Sequence, residues 1–223
     1  KNKIIGGNKM TEKSRNGKTT TNIQEKANLI WSVADIIGQG LYKPHEYGKV
    51  ILPMTVIKRL HDTLLPTRDE VFKVYEEIEN IKVPQIRNRK LTDASGYQFY
   101  NISKYTFETL LSDADNIEDN FRYYINGFSE NVQDILANFD FDKEITTMQN
   151  NDALFSVIDE FNSKKAYLGA DKITSTDMGY VFEELVRKFS ESYNEEAGAH
   201  FTSRDIIYLM TDLLLIDEKS SST

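Results

Sequence analysis

Apolar residues recur at three- and four-residue spacing through most of the chain, the period of an amphipathic helix. Ile23, Ala27, Ile30, Trp31, Ala34 and Ile37 share one helical face, with Asn22 placed to cap it and Gly38 and Gly40 to end it. A second stripe follows Pro44 through Tyr47, Val50, Ile51, Met54, Ile57, Leu60 and Leu64. Pro53 falls inside it and predicts a kink or break, because its nitrogen cannot donate to the helix ladder. Thr67 and Glu70 have capping-box spacing ahead of Val71, Val74, Tyr75 and Ile78, and Pro84 closes this third helix. Residues 83–101 lose the period, and the aromatic run GYQFYN (residues 96–101) reads as a strand or a packed loop.

Shorter helices are predicted beyond it. One carries Phe107, Leu110 and Leu111 after Ser103, another Ile117, Phe121 and Tyr124, and a third Val132, Ile135 and Leu136 after Ser129. Leu154, Val157, Ile158 and Phe161 form a further one. A polar stretch, residues 162–176, separates these from a long helix through Met178, Val181, Phe182, Leu185, Val186 and Phe189, capped by Asp177. Gly198 ends the next loop, and Thr202 or Ser203 caps a last helix with Ile206, Ile207, Met210, Leu213 and Leu214.

The fold class is therefore mainly α. Strands do not alternate with helices, so a doubly wound sheet does not fit within the chain. Residues 1–21 show no period and read as a disordered leader, with Met10 a candidate native start. Residues 22–165 read as a helical domain and residues 166–223 as the start of a second unit.

Charge and composition narrow the function classes. The 223 residues contain no cysteine, which excludes disulfides and thiolate chemistry and suits a reducing cytoplasm. No apolar run approaches the roughly 20 residues that span a bilayer. The net charge of −8 divides unevenly: residues 1–26 hold seven Lys or Arg against two Glu, leaving the rest at −13. Such a body is a poor nucleic-acid binder by itself, since phosphate contacts need clustered cations.

Most catalytic constellations are missing. His45, His61 and His200 are scattered, with no His-x-x-x-His pair for a metal. His61-Asp62 reads as a pair of helix-surface neighbours. No Gly-x-Ser-x-Gly elbow, phosphate loop or dinucleotide turn occurs. The acidic pairs Asp113/Asp115 and Glu118/Asp119 read as surface charges, and Trp31 reads as core. Thr202-Ser203-Arg204-Asp205 forms a good helix cap whose first-turn amides would accept a carboxylate or phosphate, reinforced by Arg204 and walled by His200 and Phe201. A capped helix whose loop only packs fits the same residues.

The stretch DMGYVFEELVRKFSESYNEEAGAHFTSRDIIYLM (residues 177–210) resembles HsdM-type subunits, the DNA adenine methyltransferase subunits of type I restriction–modification systems. That family shows D-x-G-x-x-[FY]-E-x-L followed by G-x-[FY]-[FY]-T-P-R-x-[IV]-x-x-L-M. Asp177, Gly179, Phe182, Glu183 and Leu185 match the first pattern. Gly198, Phe201, Thr202, Arg204, Ile206, Leu209 and Met210 follow the second, with His200 in place of its first aromatic and Ser203 in place of the proline. LIWSVADIIGQGLYKPHEYGKVILPMTVIKRLHD (residues 29–62) is similar to the family's helical N-terminal domain.

The resemblance implies a helical N-terminal domain whose last helices lead into a doubly wound methyltransferase domain. It implies S-adenosylmethionine as cofactor, with Ala199, His200, Phe201, Thr202, Ser203 and Arg204 lining its pocket. It implies DNA, a specificity subunit, a restriction subunit and a second methyltransferase subunit as partners, without a membrane. Residues 82–90 and 164–172 become candidate contact loops. The family's D-x-x-x-G-[ST]-G-G and N-P-P-[FY] motifs do not occur here, so the chain is expected to be an N-terminal fragment without catalytic residues. The alternative is a stand-alone acidic interaction module.

Overall fold

The computed structural model describes residues 12–194, with side chains described from 22 to 192. Among the described residues there are eleven α-helices, short 3-10 turns and no strand, and a single isolated bridge pairs Asn101 with Phe128. The mainly-α expectation holds.

Helix α1 runs Glu12–Trp31 and α2 Val33–Ile37. The expected start at Asn22 is therefore wrong: the helix extends ten residues further back, through residues read as a disordered leader. Lys13, Arg15 and Lys18 are good helix formers and the threonines cost only tenths of a kcal/mol each, too little to stop a helix that already has an apolar face to dock. The break at Ser32 has a local cause, since its hydroxyl bonds back to the Leu29 carbonyl and across to Glu160 Oε1 at 2.5 Å. Gly40, at φ +94°, then takes the left-handed turn that follows α2.

Helix α3, Gly48–Leu64, contains Pro53 without interruption. The proline lies early in the helix, where it withdraws only the partner of the Lys49 carbonyl. Helix α4, Arg68–Glu77, starts without the predicted capping box; the Thr67 hydroxyl donates to the Ser95 carbonyl at 3.0 Å and caps no first-turn amide.

Pro84 opens a helix and closes none. Helix α5 runs Pro84–Ser95, begun by that proline and ended by Gly96 at φ 73°. Gly96–Asn101 is then a packed loop with Phe99 fully buried.

Helices α6 (Phe107–Leu111), α7 (Ile117–Asn126), α8 (Glu130–Ala137) and α10 (Leu154–Asn162) follow the predicted stripes. The cap of α6 is Thr106, which shares a reciprocal box with Thr109, and Ser103 lies outside it. Helix α9, Phe141–Gln149, has no counterpart in the sequence reading.

Helix α11 spans Ser175–Asn194. Its cap is Thr174, whose hydroxyl accepts from the Asp177 N–H at 3.1 Å while Asp177 Oδ2 accepts from the Thr174 N–H at 3.1 Å. Asp177 is thus the returning acid of the box and Thr174 the cap.

One hydrophobic cluster links nearly everything. It joins Ile30 and Ile37 to α3, to Phe107, Phe121 and Phe161, and on to Leu168, Ile173, Phe182 and Phe189. Helix α11 lies along α1, with Trp31 edge-on to Phe189 at 5.2 Å between ring centroids. The expected change of unit at residues 165/166 therefore does not appear as a break in packing. A second, small cluster of Val71, Ile78 and Leu91 holds α4 and α5 together as a hairpin.

Candidate functional site

Helix α3 is apolar on every side, and a helix of that kind is buried all round. Its polar residues are carried inside with it: Lys58 is 5% exposed, Arg59 2%, His61 8% and Asp62 1%. A surface reading of His61-Asp62 is thus overturned. Charges taken out of water demand partners, and each has them.

Asp62 pairs with Lys58 at 2.9 Å, one turn away, and accepts the Leu168 N–H at 2.7 Å. Arg59 Nη1 donates to the Leu168 carbonyl and, at 2.6 Å, to that of Ile173. Lys26, from α1, donates to the Lys165 carbonyl. Three side chains from α1 and α3, Lys26, Arg59 and Asp62, therefore fix the segment that leads into α11. Burial outweighs the Lys58 ammonium and the Leu168 amide and pushes the Asp62 carboxyl above its ordinary value. Burial likewise lowers the Lys26 ammonium.

His61 points the other way, into an aromatic nest. Its Nδ1 lies 2.9 Å from the Tyr124 hydroxyl, and the Phe107 ring centroid is 4.9 Å away. Burial, then the positive charges of Lys58 and Arg68, push its pKa down to about 3. The ring is a neutral hydrogen-bonding core residue at physiological pH.

What this buried row does chemically is hold a joint. The hydroxyl–imidazole pair it contains, Tyr124 with His61, is itself buried among aromatic rings. Among the described residues no group of three or more His, Asp or Glu could hold a metal ion. An open cleft of about 400 Å3 lies among α7, α8 and α9, floored by Leu136, Phe141 and Ile145. At its rim Arg122 is committed to Glu118 and Asp142.

The candidate cofactor residues Ala199, His200, Phe201, Thr202, Ser203 and Arg204 lie outside the described residues. Of the first pattern, Phe182 and Leu185 are buried on α11 and Asp177 closes its cap. Trp31 packs between Tyr47 and Phe189 at the edge of the core, partly buried, with Lys188 over its ring.

The two candidate contact loops differ. Residues 164–172 are pinned by Lys26, Arg59 and Asp62, and Lys172 sits over the Tyr167 ring. Residues 84–90 belong to α5 and are almost all exposed. Sequence reading missed the buried row, although the signal was present: apolar residues at positions 50, 51, 52, 54, 56, 57, 60 and 64 leave no solvent side for what lies between them.

No curated protein and no solved structure matches the chain significantly. A family model does match: the HsdM N-terminal domain, over residues 26–161. That span takes in α2 to α10 and most of the hydrophobic core, including the whole of α3. On that match and the all-helical architecture, the chain belongs to the HsdM family as its N-terminal domain.

Proposed function

We propose that the chain serves the modification subunit of a type I restriction–modification system, which methylates adenine N6 in DNA with S-adenosylmethionine. The observation that carries this reading is the family match over residues 26–161, continued into α11 by Asp177, Gly179, Phe182, Glu183 and Leu185. A target amine inside the base stack must be extruded before it can react, so such chemistry needs a pocket for the flipped base as well as one for the donor. The cofactor supplies the methyl group, and Ala199–Arg204 are the residues proposed to line its pocket.

The part proposed for residues 22–192 is mechanical. They form the helical body that packs beside the catalytic domain and meets the specificity subunit, the restriction subunit, the second methyltransferase subunit or DNA in the assembly. The buried row on α3 supports this role, because it locks the segment entering α11 to the body and gives the two a fixed relation. No described helix is long and apolar enough to cross a membrane, and the cytoplasm is the proposed compartment.

The test is methyl transfer from labelled donor to DNA. These 223 residues alone are expected to transfer nothing, and the whole subunit with its specificity subunit is expected to label adenine. Labelling of cytosine only, or no labelling by the assembled subunits, refutes the proposal. Micromolar binding of the donor to these 223 residues in calorimetry would contradict the expectation that the pocket is completed elsewhere.

A further inference from the structure

The negative charge of the chain is concentrated in one stretch. Residues 105–142 hold nine carboxylates against one cation, Arg122, a net of −8 that equals the net charge of all 223 residues. Arg122 contributes little outward, because its guanidinium is paired with Glu118 and Asp142. The stretch builds α6, α7, α8 and the start of α9, and Asp119, Glu130, Asp134, Asp140 and Asp142 are exposed along it.

The open cleft of about 400 Å3 lies inside this acidic region. Leu136, Phe141 and Ile145 make its floor apolar, and Asp134 and Asp142 stand at its rim. Among the described residues Asp134 has no ion-pair partner, and Lys143, the nearest cation along α9, does not line the cleft. The walls are pinned. Arg122 Nη2 donates to the Asp142 carbonyl at 3.1 Å and to Thr146 Oγ1 at 2.7 Å, tying α7 to α9. Gln133 Nε2 donates to the carbonyls of Asn126 at 2.9 Å and Phe128 at 2.6 Å, tying α8 to the end of α7. A cleft held open by its own side chains needs little reordering to bind.

These features select one kind of occupant. Duplex DNA is repelled, since its phosphates share the sign of the exposed carboxylates. A second copy offering the same face meets the same repulsion. A small polycation would use the rim and leave the apolar floor wet. A protein segment with an apolar side chain flanked by lysine or arginine uses both, the apolar group covering the floor while the cations meet the rim.

We infer that the α7–α9 cleft docks a lysine- or arginine-flanked apolar segment of another protein. The apolar anchor sits on Leu136, Phe141 and Ile145, and Asp134 and Asp142 receive the flanking cations. The inference goes beyond the proposed function and stands on the surface of this chain alone.

The experiment uses the whole subunit and, as probe, a synthetic amphipathic helix of leucine and lysine, with binding read by fluorescence anisotropy. Oligolysine of equal charge and spermine are the comparison ligands. Asp134→Arg reverses the rim charge, and Ala137→Arg fills the cleft from an exposed position on α8. Glu77→Arg, on α4, matches the charge change of Asp134→Arg away from the cleft. The two cleft variants are expected to weaken probe binding about tenfold or more, with Glu77→Arg within about twofold of the unmodified chain. Oligolysine and spermine should bind at least about tenfold more weakly than the probe. Thermal melting checks the folding of each variant, and Asp134→Asn, which removes the charge with little change of shape, should weaken the probe in the same direction. Absence of probe binding overturns the inference. So does equal weakening by Glu77→Arg, which makes the attraction diffuse, or oligolysine as tight as the probe, which leaves the apolar floor without a part. Self-association that Ala137→Arg abolishes gives the cleft to a second copy and also overturns it. Methyl transfer is scored separately, so failure of the proposed function leaves each of these outcomes readable.

Discussion

The Asp62 carboxylate on α3 accepts the backbone N–H of Leu168 at 2.7 Å, across 106 residues of sequence. Together with Arg59 it converts a polar connecting segment into part of the core. Arg59→Met would keep volume but orphan the Leu168 and Ile173 carbonyls, and Asp62→Leu would strand the Lys58 ammonium. Each is expected to lower stability by about 3–5 kcal/mol, the range for removing one member of a buried charged group. Urea unfolding checks this; a loss below about 1 kcal/mol would show that water reaches the row.

His61 predicts an acid-sensitive fold. Its folded pKa of about 3 lies below the unfolded value of 6.5. Between those values the unfolded chain binds the extra proton, so the contribution is complete above pH 6.5 and shrinks as pH falls toward 3. At pH 5 the loss from this group is about 2 kcal/mol relative to pH 7, at roughly 1.4 kcal/mol per unit. Asp62, with its pKa raised, acts with the opposite sign in the carboxylate range. His61→Gln retains a partner for Tyr124 and should flatten the pH 5–7 slope of unfolding free energy. A slope unchanged in the variant would place its origin elsewhere.

Gly127→Ala tests a close approach. The glycine has an ordinary φ of −75°, so conformation does not require it. A Cβ there would lie 2.5 Å from Asn101 Oδ1, 2.7 Å from Ser103 Cβ and 2.8 Å from Ser103 N. The Ser103 backbone belongs to the loop bridged to Phe128, with the Ile102 N–H donating to the Gly127 carbonyl at 2.8 Å, and it has little room to give. Destabilisation of about 1–3 kcal/mol is expected, measured by thermal melting.

Arg87→Ala should loosen the α4–α5 turn without unfolding the body, because Arg87 Nη1 donates to the Ile78 carbonyl at the end of α4, at 2.9 Å. The Ile81 N–H, bonded to the Ile78 carbonyl at 2.9 Å, is the reporter. Its hydrogen exchange should accelerate about tenfold, corresponding to roughly 1.4 kcal/mol of local opening, while exchange in α3 stays unchanged. Acceleration throughout the chain would contradict an independent hairpin.

The stripes of α7, α10 and α11 were legible because burial on one side imposes the helical period directly. The loops and caps were less so. Helix α5 buries only Leu91 and Ser95, so it carries almost no period; its boundary residues, Pro84 and Gly96, were the readable signal. Helix α9 buries Phe141, Ile145 and Met148 but begins at Asp140 in a left-handed conformation, which no local residue preference announces. Thr67, Ser103 and Asp177 show that cap spacing does not fix which hydroxyl caps, because tertiary acceptors such as the Ser95 carbonyl compete. The buried row was hidden by reading charge as exposure. The cofactor residues 199–204 were legible only through resemblance and lie outside the described residues.

The dependence of α3 on Leu168 and Ile173 also separates two kinds of boundary. The family model ends at residue 161, yet a polypeptide stopped there would leave the Arg59 guanidinium and the Asp62 carboxylate facing an empty slot. During synthesis the same condition holds until residues 168–173 have left the ribosome. The cooperative unit is therefore longer than the recognisable one, and its closure waits on residues beyond the family match.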